Sequence, residues 1–222
     1  MLLACRANDW PVEGYLSPEH PVQQRIREVI ERLIGTKVAF TAVDGCGAPV
    51  YPMSLTQLAR GMRQIVTASA DSPFAMFRAG AELSDAMVAY PDVVGADGEP
   101  DTVLMQRLGL VAKTGYEGIF IAATRSGYSA AVKVLDGNLR AAGLIAATAL
   151  VRAGALTQAQ LDSVIPELDL DIRGGGEVVG AAHAQRVAAG EVRDGVAHLV
   201  VGRPVLGHGR ELADHQLERG DG

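Results

Sequence analysis

Residues 110–152 constrain the fold more than any other stretch. Leu110-Val111-Ala112-Lys113-Thr114-Gly115 is an apolar strand that ends on an ionisable lysine and then a glycine. Ile119–Ala123 and Ser129–Leu135 are two more apolar runs of strand length, joined through Arg125-Ser126-Gly127, and they read as a hairpin. Asp136-Gly137 then turns the chain into an Ala-rich apolar helix that runs to about Arg152, with Asn138 or Asp136 as its cap and Gly154 at its end. A hairpin followed by a buried helix favours an antiparallel sheet with helices packed on it. The expected class is therefore α+β and not a doubly wound parallel sheet.

The upstream chain is mostly helical by pattern. Residues 5–21 hold Pro11, Pro18, Pro21 and Gly14, which favours an irregular loop, although Trp10, Tyr15 and Leu16 give it something to pack. Pro21 opens a helix on which Val22, Ile26, Val29, Ile30 and Leu33 recur at helical spacing, and Gly35 closes it. Val38–Val43 reads as a strand ending on Asp44-Gly45. Ser54 caps a helix from Leu55 to about Ala68, and Ser72-Pro73 starts another that carries Phe74, Phe77, Met87 and Val88. Residues 90–100 read as a Gly/Asp/Pro loop, Asp101–Leu108 as a short helical turn, and Thr157 as the cap of a helix to about Val164. The character changes beyond Gly176. Residues 183–222 hold four of the five histidines and little periodicity, which predicts a loosely structured tail after a domain spanning 1–182.

Composition narrows the function. The 222 residues carry a net charge of −6 with no basic face, which argues against a nucleic-acid partner. Two cysteines, Cys5 and Cys46, make no disulfide framework and point to a reducing, cytoplasmic setting. The N-terminal residues are too short an apolar run for a signal sequence, and no run reaches membrane-spanning length. No Gly-x-Gly-x-x-Gly, Walker loop, Gly-x-Ser-x-Gly or Ser-x-x-Lys occurs, so neither a nucleotide site nor a serine nucleophile is evident.

Two short stretches could carry chemistry. In Lys113-Thr114-Gly115 the ammonium could hold a negative charge or, desolvated, act as a base. The Thr114 hydroxyl could position a carboxylate or carbonyl, and Gly115 could let a substrate lie against the strand backbone. The plain alternative is a surface lysine at a strand end, with Glu117 neutralising it. In Asp44-Gly45-Cys46-Gly47 the carboxylate could accept a substrate ammonium and Cys46 could be a thiolate or zinc ligand. Equally, this is a glycine turn with Cys46 as a small hydrophobe. One cysteine cannot complete a tetrahedral site; Cys5 is open as a second ligand or as a core residue. Lys133 lies mid-strand and the scattered histidines lack metal-ligand spacing.

Several segments, in order over residues 1–182, resemble the asparaginase II family, bacterial asparaginases of the Rhizobium inducible type. They are Trp10-Pro-Val-Glu-Gly-Tyr15 with His20-Pro-Val-Gln23, Val43-Asp-Gly-Cys-Gly-Ala-Pro49, Ser54-Leu-Thr56 with Leu58-Ala59, and Asp101-Thr102 with Leu104-Met105. Lys113-Thr-Gly115 with Glu117-Gly118, and Ala131-Val-Lys-Val134 with Asp136-Gly137 and Arg140-Ala141, complete the series.

The resemblance implies a serine β-lactamase/penicillin-binding-like fold and hydrolysis of L-asparagine to L-aspartate and ammonia through a serine-type acyl transfer. It carries over Lys113, in the Lys-Thr-Gly motif, as catalytic, Asp44 as substrate-binding and Cys46 as a zinc ligand. Thr114 joins Lys113 as a catalytic candidate, and Gly115 joins Asp44 in substrate binding, from the reading of the strand itself. The family's Ser-Lys pairs and Cys-x-x-Lys correspond to a stretch upstream of Met1. A further family cysteine has no counterpart between Gly98 and Thr102, and Tyr90-Pro91 stands where His-Pro is usual. The expectation is thus the C-terminal two-thirds of such an enzyme. Its N-terminal strands would be missing, its sheet edge exposed, and its activity alone little or none. A non-catalytic ligand-binding remnant of the same fold is the alternative, and a peptide or β-lactam substrate a third. L-asparagine is the expected small-molecule partner, with a homodimer among the assemblies left open.

Overall fold

The computed structural model describes residues 1–183 together with the strand segments 192–193 and 196–201. The order begins with α1 (Leu2–Ala7), α2 (Pro21–Ile34), a two-residue hairpin of β1 (Ala42–Val43) and β2 (Pro49–Val50), α3 (Leu55–Val66), α4 (Ala75–Ala89), α5 (Pro91–Val94) and α6 (Pro100–Leu108). It continues with β3 (Val111–Thr114), β4 (Ile119–Ala123), β5 (Ser129–Val134), α7 (Ala142–Arg152), α8 (Gln158–Val164), the hairpin β6 (Asp171–Gly174) and β7 (Glu177–Ala181), β8 (Val192–Arg193) and β9 (Val196–Val201). The class is α+β, as the hairpin implied.

The central sheet has the order β3-β4-β5-β9-β8. The first three strands are antiparallel, with Lys113 opposite Ile121 and Ile121 opposite Ala131. Because side chains alternate between faces, one set (Ala112, Phe120, Ala122, Ala130, Val132, Val134) joins the largest core cluster with α6, α7 and α8. The other set packs under α3 and α4: Ile121 and Ala131 against Ala59, and Val111 and Ala123 against Val66. The sheet is thus covered by helices on both faces. Helix α7 is buried at every position from Ala142 to Leu150, which its all-round apolar composition requires. Gly143 permits this close packing, since a Cβ there would stand 2.8 Å from Pro100 Cβ.

Several expectations held in detail. Helix α2 starts with Pro21 in its first turn and ends at Gly35 in the left-handed conformation. Ser54 with Gln57 and Thr157 with Gln160 both form capping boxes.

At β3 the central sheet has no further strand neighbour among the described residues, while on the other side β5 is paired in parallel by β9. Other expectations need correction. The strand expected over Val38–Val43 shrinks to Ala42–Val43. The backbone N–H of Val38 is taken by Glu31 Oε1 and its carbonyl by Arg27, so no partner strand can claim them. The loop at 5–21 is preceded by α1, which includes Cys5, and the loop at 90–100 contains α5, started by Pro91. Neither Asp136 nor Asn138 caps α7. Their side chains accept from the backbone N–H of Asn138 and Arg140 and close local turns instead. The tail reading for 183–222 falls largely on residues outside those described. Among the described residues no helix is long and apolar enough to cross a membrane.

The corner that replaces the expected strand is held by Glu31. Its buried carboxylate meets Lys37 Nζ at 2.6 Å, Arg27 Nε at 3.1 Å and the Val38 N–H at 3.1 Å. The bond from Lys37, then that from the Val38 backbone, holds the Glu31 carboxyl down at about 2, against 4.5 ordinarily. A carboxyl whose folded pKa is depressed adds stability above its unfolded value and loses it as pH falls toward the folded one. Glu31 should therefore stabilise the fold fully above about 4.5 and progressively less down to about 2. Acid unfolding followed by circular dichroism should be steeper in wild type than in Glu31→Gln across that interval, and identical slopes would refute the assignment.

Candidate active site

Lys113 and Thr114 form the last residues of β3, whose outer edge has no strand neighbour among the described residues. The N–H of Gly115 donates to Ile119 O at 2.8 Å, toward β4. By the alternation of an antiparallel pair, the N–H and C=O of Thr114 then point to the open edge. There the Thr114 N–H donates to Asp101 Oδ2 at 3.0 Å, and Lys113 Nζ reaches the same oxygen at 3.5 Å. Lys113 is about half exposed, with 47% of its side chain in solvent, whereas the Asp101 side chain is buried. Glu117, the neighbour expected to neutralise Lys113, does not: Asp101 takes that place.

The segment after β3 is tightly built. Glu117 has φ 57° and Gly118 φ 76°. The Glu117 carbonyl accepts from Lys133 Nζ, which also donates to Val134 O at 2.8 Å. Lys133, mid-strand by its sequence pattern, thus ties the loop behind Lys-Thr-Gly to β5. It does so from opposite Ile119, the first residue after that loop. Gly115 is also constrained, because a Cβ would stand 3.1 Å from Ile119 Cβ. Thr114 Oγ1 is out of solvent and has no hydrogen-bond partner among the described residues.

Asp44, Gly45, Cys46 and Gly47 form the turn between β1 and β2. The Asp44 N–H donates to Ala48 O at 2.9 Å, Gly45 N–H to Asp44 Oδ1 at 2.8 Å, and Cys46 Sγ lies 3.5 Å from Asp44 Oδ2. The turn is exposed, so Cys46 is not a core residue, while Cys5 is buried in α1. The hydrogen bonds of Asp44 and Cys46 stay within the turn and do not join it to Lys113 or Thr114. A zinc site needs about four donors in tetrahedral array. Among the described residues no group of three or more His, Cys, Asp or Glu comes together, so Asp44 and Cys46 do not fit one by themselves. An apolar groove of about 390 Å³ between α2, α3 and α4 shares no residue with either stretch.

An α+β domain with a half-exposed lysine on a Lys-Thr-Gly edge strand, backed by a buried carboxylate, is the class this geometry defines. The family model of L-asparaginase II matches residues 1–184, and the chain belongs to that family. Its name is that of an asparaginase-type hydrolase acting on a small molecule. No curated protein matches the chain.

Proposed function

We propose that this chain carries the substrate-side part of an L-asparagine amidohydrolase, on a serine β-lactamase/penicillin-binding-like fold. The observation that carries the reading is Lys113, presented half exposed at the open end of β3 within the region that matches the family. In the reaction a hydroxyl attacks the side-chain amide carbon of L-asparagine, ammonia leaves, and water hydrolyses the resulting ester to L-aspartate. Lys113 supplies positive charge for the substrate carboxylate or the developing oxyanion. Asp44 accepts the substrate ammonium, and Gly115 leaves room along the strand. Thr114 adds a hydroxyl that has no hydrogen-bond partner among the described residues. Zinc at Cys46 would need ligands beyond the turn.

The three lysines of the sequence, Lys37, Lys113 and Lys133, are preceded three residues earlier by Ile34, Leu110 and Ala130. None forms a Ser-x-x-Lys pair, and this favours the second reading, a ligand-binding protein that turns over asparagine slowly or not at all. Ammonia release from L-asparagine, beside calorimetric binding, separates the two. With turnover, Lys113→Ala should cost about 10²-fold in rate. With binding alone, Lys113→Ala should abolish it and Asp44→Ala weaken it about tenfold. A folded chain that neither binds nor hydrolyses L-asparagine refutes both readings, and hydrolysis of a peptide or β-lactam would replace the substrate.

A further inference from the structure

We infer that Asp101 is a positioning residue for Lys113, holding its ammonium and the Thr114 backbone at the open edge of β3. This rests on the reading of Lys113 as the substrate-facing cation. Asp101 shows only 1% of its side chain to solvent. A carboxylate removed from water is costly unless it is paired and hydrogen-bonded. Its oxygens receive Thr102 N–H at 3.1 Å, Thr114 N–H at 3.0 Å and Lys113 Nζ at 3.5 Å. Asp101 follows Pro100 in the first turn of α6, where the helix dipole also favours a negative charge.

The surroundings are shaped to this carboxylate. Gly95 lies against it, and a Cβ there would overlap Asp101 Oδ1 and stand 2.7 Å from Thr102 Oγ1. Thr102 Oγ1 in turn donates to Pro91 O at 3.3 Å, which fixes the start of α6 on α5. Lys113 and Thr114 point to opposite faces of the sheet, and a group lying off the strand edge can bond the Thr114 backbone and the Lys113 side chain together. Asp101 is too deep to touch a substrate. It acts through Lys113, whose ammonium it steadies where the side chain is still half exposed.

Only three lysines occur, so the reactivity of each amine can be read separately. Trace acetylation with acetic anhydride, resolved by mass spectrometry, gives the rates for Lys37, Lys113 and Lys133. In Asp101→Asn the Lys113 rate should rise about five-fold, the scale of one partly exposed ion pair, with Lys37 and Lys133 unchanged. Gly95→Ala, which displaces the carboxylate and keeps its charge, should raise Lys113 in the same selective way. An unchanged Lys113 rate, or a parallel rise at all three lysines, overturns the inference. Should neither variant fold, the wild-type chain decides. Lys113 acetylated about five-fold more slowly in the native state than in urea supports the pairing, and equal rates overturn it. Failure of L-asparagine to bind refutes the asparagine reading alone, because the labelling contrast uses no substrate.

Discussion

Gly118→Ala is expected to destabilise the protein by about 2–5 kcal/mol, the sum of two effects. Gly118 has φ 76°, a left-handed backbone that costs an L-residue roughly 1–2 kcal/mol. Its Cβ would also stand 2.6 Å from Val134 O and 3.1 Å from Gly137 Cα. These are backbone atoms of β5 and the following turn, which cannot swing aside as a flexible side-chain end would, and overpacking of this kind costs roughly 1–3 kcal/mol. Glu117, immediately before it, is also left-handed at φ 57°, so the loop has little slack. Urea unfolding should show a lowered midpoint with an unchanged slope. The loop begins one residue after Thr114, so the end of β3 should loosen as well, and on the proposed function binding of L-asparagine should weaken with it. A midpoint shift equivalent to less than about 0.5 kcal/mol would mean that the turn after Gly118 moves freely.

The parts of this molecule that were legible in the sequence are those fixed by local rules. The β4–β5 hairpin, the α2 stop at Gly35, and the caps at Ser54 and Thr157 depend on neighbours within a few residues. The failures at Val38–Val43 and at the start of α7 share one cause, a polar group whose partner is chosen by tertiary structure. Val38–Val43 has strand composition, yet Glu31 and Arg27 reach across from α2 and take the Val38 backbone. Asp136 and Asn138 have cap composition, yet they spend their oxygens on the turn that precedes Ala142. At the site, Lys113 could be picked out because a lysine at the end of an apolar strand followed by glycine is a local pattern. Its partner could not, because Glu117 is nearer in sequence and Asp101 nearer in space. Asp101-Thr102 was visible as part of a resemblance, but only the register of β3 against β4 turns Thr114 N–H toward it.

Phe120→Ala is expected to cost about 3–5 kcal/mol and to do so directly beneath the candidate site. Phe120 is 1% exposed and stands opposite both Thr114 on β3 and Val132 on β5. Its ring reaches α7 where Gly143 allows close approach: a Cβ at 143 would lie 3.6 Å from Phe120 Cζ and 3.8 Å from Leu104 Cδ1. Truncation would open a cavity between the sheet and two buried helices, and α7, buried at nine successive positions, has no exposed face to which it could shift its packing. Collapse being restricted, the loss should sit toward the upper part of the range. Phe120→Leu keeps most of the volume and should cost less than about 1.5 kcal/mol. Urea midpoints of the two variants test this, and near-equal values would mean that α7 slides to fill the space. The same pair separates core from site. Thr114 is carried by the strand that Phe120 supports, so any weakening of L-asparagine binding should track the stability loss across the two variants. Lys113 acetylation should stay low in Phe120→Leu, where Asp101 and its three donors remain in place.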